Sequence, residues 1–114
     1  MRISLTAAVI ASALTVAPCA LVHASATQST ERKVSISNFT FSPATLEVPV
    51  GTTLHWVNDD DVPHTVLGAD KGSSVIRSPA LDTNDGYSVV LSEPGTYHYF
   101  CSLHPHMTGT IVVK

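Results

Sequence analysis

Apolar and polar residues alternate with a period of two along most of the chain from residue 33 onward. This alternation predicts short β-strands that each bury one face. No segment shows a convincing helical period, so the pattern predicts an all-β fold. We expect strands from Lys33 through Phe41 with a break at Ser42-Pro43, around Leu46 and Val48, and at Thr52–Asn58, His64–Leu67, Tyr87–Leu91, Tyr97–Cys101 and Thr110–Val113.

The segments between these strands are rich in turn-forming residues. Pro49-Val50-Gly51 and Glu93-Pro94-Gly95-Thr96 are typical of tight turns, and Asn58–Asp61 is typical of a polar loop. Residues 68–86 contain Gly, Ser, Asp, Asn and Pro and are expected to form a long irregular connection. Short strands joined in this way favour a β-sandwich.

The N-terminal segment has a different pattern. Arg2 precedes an apolar run from Ile3 to Val16, and small residues follow Pro18. This order is typical of a cleaved export signal. The alternative is an uncleaved anchor, but the run is shorter than the roughly 20 residues that cross a bilayer. We therefore expect cleavage after Ala24 or Ala26, a single domain over residues 25–114, and a periplasmic location.

The charge of the chain argues against nucleic acid as a partner. The sequence has 6 basic and 9 acidic residues, a net charge of -3. Loss of Arg2 with the signal leaves 5 basic against 9 acidic residues, a net of -4. No basic patch is evident, whereas binding to phosphate backbones needs clustered Lys and Arg.

Cys101 is the single cysteine of the expected mature chain, because Cys19 lies in the signal segment. It therefore cannot form an internal disulfide. A lone thiol in an oxidising compartment is a hazard unless it is buried or bound to metal. The cysteine pattern already favours Cys101 as a metal ligand.

Three further side chains complete a metal-binding pattern around Cys101. His104 and Met107 follow it at intervals of three residues within one short loop, and His64 follows Pro63 far upstream. Two His, one Cys and a weak axial Met form the ligand set of a blue-copper electron-transfer centre. The sequence therefore predicts one copper ion, cycling between the 1+ and 2+ states, at His64, Cys101, His104 and Met107.

The other histidines of the predicted domain are weaker candidates. His55 and His98 each lie between two core-facing residues, so strand parity turns them towards solvent. His106 lies inside the ligand loop and could replace His104 or Met107. We favour His104 because two intervening residues after Cys101 match a tight turn.

Several motifs together resemble the small cupredoxins of the amicyanin and plastocyanin group. They are Trp56-Val57-Asn58 followed by Pro63-His64, Ser78-Pro79-Ala80-Leu81-Asp82, Pro94-Gly95-Thr96-Tyr97, and Cys101-x-x-His104-Pro105-x-Met107. The resemblance covers nearly all of the predicted mature chain, and the short Cys-to-Met loop matches the amicyanin spacing.

The resemblance implies a Greek-key β-sandwich that binds copper at one end. His64, Cys101 and His104 would be equatorial ligands and Met107 the axial ligand. The backbone N–H of Thr65 would donate to the Cys101 sulfur. Many relatives carry Asn at the position of Thr65, which leaves the role of this side chain open.

The resemblance further implies an electron carrier that is not an enzyme. We expect electrons to leave through His104 during transient docking with a redox partner, for example a c-type cytochrome or a periplasmic dehydrogenase, and we expect a monomer. The alternative is a periplasmic copper-binding, resistance or delivery protein. Asp59-Asp60-Asp61 precedes His64 and is either a solvated turn or a patch that steers a basic partner.

Overall fold

Two four-stranded β-sheets form the body of the protein, as the alternation predicts. The computed structural model describes residues 10–18 and 30–114. One sheet has the strand order β2-β1-β4-β6 and the other β3-β8-β7-β5. The strands are β1 (Glu31–Ser37), β2 (Thr40–Ser42), β3 (Thr45–Val48), β4 (Thr52–Asn58), β5 (Leu67–Gly68), β6 (Gly86–Leu91), β7 (Gly95–Phe100) and β8 (Thr108–Val113).

The core lies between the inner faces of the two sheets. Alternate residues of β3, β4 and β8 are buried, which follows from the opposite orientation of successive side chains in a strand. Tyr97, Tyr99 and Cys101 are all buried, so their predicted common face is confirmed. Trp56 is fully buried, and its ring packs at a 5.3 Å centroid distance against Tyr99.

The strand directions bring several strand ends to one end of the sandwich. β1 and β4 are parallel, with Ile36 paired to Asn58, so their C-terminal ends lie side by side. β7 also ends there, because Cys101 directly follows it and contacts the segment after β4. β8 runs antiparallel to β7 and leads back to the opposite end.

The predicted strand at His64–Leu67 is wrong in its bounds. His64 forms a single bridge with Leu81 through two backbone hydrogen bonds of 3.0 and 2.7 Å. Val66 is bonded to Ser78, and only Leu67 and Gly68 pair with β7. The long connection from residue 68 contains one 3-10 turn, Lys71–Ser73. The backbone groups of His64 and Val66 are thus bonded to this connection and not to a neighbouring strand.

The run predicted from Lys33 through Phe41 is divided by a tight turn. Asn38 and Phe39 have φ angles of 52° and 57° and separate β1 from β2. The periodicity continues across the turn, so the pattern of apolar residues alone did not reveal it.

Residues 10–18 have no regular secondary structure, and Ile10, Leu14 and Val16 are exposed. The predicted cleavage positions after Ala24 and Ala26 lie outside the described residues. Within residues 10–18 and 30–114, no helix has the length and apolar character needed to cross a membrane.

Candidate metal centre

Three side chains from two distant segments point at one position at the end of the sandwich. The Sγ of Cys101 lies 3.7 Å from Nδ1 of His64 and 3.8 Å from Nδ1 of His104. The three ligand atoms all lie within 4.8 Å of one another. His64 and Cys101 are fully buried and His104 is partly exposed. The structure thus brings together the His64, Cys101 and His104 predicted from the sequence.

The spacing and chemistry of these atoms fit a metal ion. For M–N of about 2.0 Å and M–S of about 2.3 Å, a trigonal arrangement separates nitrogen from sulfur by about 3.7 Å. The two observed separations agree with this value. Imidazole and thiolate donors suit copper or zinc, whereas calcium and magnesium prefer oxygen.

The loop after β7 is closed by its own backbone. The N–H of Cys101 donates to the carbonyl of Met107 at 3.1 Å, and the N–H of Met107 donates to the carbonyl of His104 at 2.9 Å. Met107 is buried, with 2% of its surface exposed. His106 is exposed and is not part of the three-residue cluster. The geometry therefore favours His104 over His106 as the second imidazole.

Asn58 holds the segment that carries His64. Its side-chain amide donates to the carbonyls of Val62 and Leu81 at 2.9 and 2.8 Å, and its Oδ1 accepts from the N–H of Asp60 at 2.9 Å. Asn58 is fully buried. The last residue of β4 thus fixes the loop that leads to the buried ligand.

Asp60 orients the imidazole of His64. Nε2 of His64 lies 2.8 Å from Oδ2 of Asp60, whose side chain is only 12% exposed. The N–H groups of Phe39 and Asn38 also donate to this carboxylate, at 3.0 and 2.6 Å. The hydrogen bond from Phe39 is the largest cause that lowers the pKa of Asp60, so the carboxylate stays ionised and accepts the Nε2 proton. Nδ1 then presents its lone pair to the site.

Thr65 links the two ligand-bearing segments. Its N–H donates to the Cys101 sulfur at 3.4 Å, as the family resemblance implies. Its Oγ1 accepts from the N–H of Ser102 at 2.8 Å and lies 2.8 Å from Ser102 Oγ and 3.8 Å from Cys101 Sγ. The hydroxyl thus bridges the segments that carry His64 and Cys101, which settles where this side chain points.

The environment of Cys101 favours a thiolate. Burial raises the pKa of the thiol, but the hydrogen bond from the N–H of Thr65 and the adjacent imidazoles of His64 and His104 together outweigh it and bring the pKa to about 6. The thiolate is the form that binds metals. Cys101 is buried and forms no disulfide within the described residues.

Phe39 contacts the site from outside, and no pattern in the sequence indicates this contact. Its ring centroid lies 4.9 Å from that of His104 and 5.6 Å from that of His64, with near-perpendicular planes. The position of Asp60, four residues before His64, was also missed as a ligand partner, although that spacing was visible in the sequence.

His55 and His98 lie away from the three-residue cluster. Nδ1 of His55 contacts Ser88 Oγ at 2.5 Å on the outer face of its sheet, and His98 is exposed.

Comparison with known proteins places this fold in one family. A family model for the cupredoxin-like domain matches residues 6–113, nearly the whole chain. The chain belongs to the cupredoxin family. Among curated relatives of this cupredoxin, the amicyanin of Paracoccus denitrificans is 34% identical over 83 residues, which cover 71% of this chain and 63% of that protein. The plastocyanin of Scenedesmus fuscus is 33% identical over 84 residues, covering 65% of this chain and 86% of that protein.

Solved structures show the same architecture. A purple cupredoxin from Nitrosopumilus maritimus is 40% identical with a TM-score of 0.65, and the match covers 72% of this chain and 98% of that one. A copper-containing nitrite reductase from Thermus scotoductus is 34% identical with a TM-score of 0.67, but the match covers only 22% of that chain. The matched part of this cupredoxin therefore spans nearly all of the purple cupredoxin but only a fraction of the nitrite reductase.

Proposed function

We propose that this cupredoxin is a one-electron carrier with a type 1 copper site held by His64, Cys101 and His104, with Met107 as the axial ligand. The observation that carries the proposal is the convergence of two imidazole nitrogens on a buried thiolate at separations of 3.7 and 3.8 Å. Its amicyanin and plastocyanin relatives are electron-transfer blue copper proteins.

The described residues explain how such a site would work. Bound copper supplies a one-electron change between the 1+ and 2+ states. Asn58, Asp60 and Thr65 hold the ligand segments through hydrogen bonds to the sandwich, so the donor atoms would keep similar positions in both states. When the ligands move little between the two oxidation states, electron transfer is fast. His104 is the outermost of the three ligands, so its imidazole is the route by which electrons would enter and leave.

The partner we propose is a redox protein, for example a c-type cytochrome or a periplasmic dehydrogenase, that docks transiently. Phe39 and Leu103 are 43% and 50% exposed and flank His104, which provides an apolar contact area. We place the protein in the periplasm as a monomer, with the export signal removed after Ala24 or Ala26.

The competing function is copper binding for storage, resistance or delivery. Delivery favours open sites that release the ion readily, whereas Cys101 and His64 are fully buried here.

An enzymatic role would need a substrate site beside the metal. Among the described residues, one cluster of three His, Cys, Asp or Glu side chains has metal-binding geometry.

Copper loading of the full-length chain tests the proposal. We expect an intense visible absorption in the Cu²⁺ form that disappears on reduction and returns on oxidation. Cys101→Ser should abolish the colour, whereas His98→Gln, a histidine outside the cluster, should leave it unchanged. A colourless wild-type protein would refute the site. A coloured protein that cannot be cycled reversibly, or that gives its copper up to a mild chelator, would refute the carrier function and favour delivery.

A further inference from the structure

An exposed aromatic ring packs against both imidazoles of the site. We propose that Phe39 is a positioning residue for the metal centre, whose ring fixes the imidazole of His104 and closes one flank of the site to small anions. The ring lies 4.9 Å from His104 at 85° and 5.6 Å from His64 at 86°. This inference rests on the proposed function, because it assigns Phe39 a role towards the same ligands.

The backbone at Phe39 does not favour a phenylalanine. Asn38 and Phe39 have φ angles of 52° and 57° and connect β1 to β2. Two-residue turns of this type favour Asn followed by Gly. A non-glycine residue in the left-handed region costs about 1–2 kcal/mol, and residues held in this way cluster at functional sites. The turn alone therefore does not account for the phenylalanine.

A carboxylate ties this turn to the buried ligand. Oδ1 and Oδ2 of Asp60 accept from the N–H groups of Asn38 and Phe39, and Oδ2 also accepts from Nε2 of His64. The position of the Phe39 backbone is thus set by the same group that orients His64. As a result, the ring is held over the site even though 43% of its surface is exposed.

His104 is the ligand that needs such support. His64 is fully buried and bonded to Asp60, whereas His104 is partly exposed and lies on a short loop. An edge-to-face aromatic contact contributes about 0.5–1.5 kcal/mol beyond its buried area. Without the ring of Phe39, the imidazole would be freer to rotate, and solvent would reach the flank between His64 and His104.

Phe39→Gly separates the role of the ring from that of the turn, because glycine suits the positive φ. Relief of the positive φ and loss of the ring contacts act in opposite directions, so we expect the unfolding free energy of the metal-free variant to lie within about 1–2 kcal/mol of the wild-type value. We also expect its dissociation constant for Zn²⁺, a redox-inert probe of the Cys and His ligands, to rise about tenfold. Phe39→Tyr keeps the ring and should restore the wild-type constant. Asn38→Gly relaxes the same turn without removing the ring and should leave Zn²⁺ binding unchanged.

The copper-loaded variants provide an independent readout. Azide should change the visible spectrum of Phe39→Gly at concentrations that leave wild type, Phe39→Tyr and Asn38→Gly unaltered. Wild-type Zn²⁺ affinity and an azide-insensitive spectrum in Phe39→Gly would overturn the inference, as would failure of Phe39→Tyr to restore either property. A wild-type chain that binds neither Zn²⁺ nor copper would instead refute the proposed function itself.

Discussion

The carboxylate of Asp60 and the imidazole of His64 are joined by a 2.8 Å hydrogen bond beneath the surface of the site. A carboxylate that accepts a proton from a ligating imidazole raises the basicity of that ligand and fixes its orientation. This contact extends the site beyond its ligands into the loop that follows β4.

Replacing Asp60 tests the effect of this contact on the site. Asp60→Asn keeps the size of the side chain but removes its charge, so His64 becomes a weaker donor to Cu²⁺. We expect the reduction potential of the copper-loaded protein to rise and the free energy of unfolding of the metal-free protein to fall by about 1–2 kcal/mol. Voltammetry and denaturant titration measure these changes. Asp61→Asn, one residue along the chain and exposed, is the matched control and should alter neither quantity.

Thr65→Val tests the link between the two ligand-bearing segments. The substitution preserves the N–H that donates to Cys101 but removes the hydroxyl that accepts from Ser102. We expect a loss of about 1–2 kcal/mol in unfolding free energy. The potential should fall, because the sulfur loses the nearby hydroxyl and donates more strongly to Cu²⁺. Thr65→Ser retains the hydroxyl and should behave like wild type; equal effects of Val and Ser would contradict the assigned role.

Met107→Leu tests the proposal that Met107 is the axial ligand. Leucine has a similar volume, so the free energy of unfolding should change by less than about 1.5 kcal/mol at this buried position. Copper and its colour should be retained because the equatorial ligands remain. Loss of the weak sulfur donor should raise the potential. A variant that loses copper altogether would show that Met107 is an essential ligand and not a weak one.

Tyr99→Phe tests a buried hydroxyl in the core. The Tyr99 hydroxyl and Trp56 Nε1 are buried without a hydrogen-bond partner among the described residues. Removing the hydroxyl should therefore leave the metal-free protein equally stable or stabilise it by up to about 1 kcal/mol. Burial raises the pKa of Tyr99 from 10.0 to about 12. The folded protein therefore keeps this proton when the unfolded chain has lost it.

The same phenol predicts a pH dependence. Between pH 10 and about 12, wild-type stability should fall as pH rises, by about 1 kcal/mol per pH unit from this group. Tyr99→Phe should lack this part of the decline. Unfolding curves at pH 8, 10 and 11 for both proteins provide the measurement, and parallel declines would contradict the raised pKa.

Asp61 tests whether the acidic loop steers a partner. Asp59 accepts a hydrogen bond from Ser35 and Asp60 binds His64, so only Asp61 of the three carboxylates is exposed without such a structural role. Asp61→Asn should slow association with a basic redox partner about twofold at low salt and reduce its salt dependence. Glu93→Gln removes the same charge at the far end of the sandwich and should have little effect. A rate insensitive to both salt and Asp61 would exclude steering.

The sequence alone was sufficient to predict those features of the fold and of the site that depend on short-range spacing. Strand parity placed Tyr97, Tyr99 and Cys101 on the buried face, and the loop spacing brought His104 to Cys101. The Asn38–Phe39 turn was missed because alternation continues through it and because phenylalanine is unusual at positive φ. The contact of Phe39 with His104 joins residues 65 positions apart in the sequence, and no local pattern encodes it.

The strand predicted at His64 failed for a related reason. An apolar segment with β-branched residues favours a strand, but pairing depends on which neighbour is available. Leu81 and Ser78, from the irregular connection, take the backbone groups of His64 and Val66. The ligand set of a copper site, and not periodicity, was what connected His64 to Cys101.

The chain direction of β8 determines how this protein can be attached to other objects. β8 starts at Thr108, beside the ligand loop, and runs to the opposite end of the sandwich, where Lys114 follows it. Lys114 could be tethered to an electrode or to a second protein. The end of the sandwich that carries His104 would then face away from the attachment point. Immobilised copies should share one orientation and exchange electrons at similar rates.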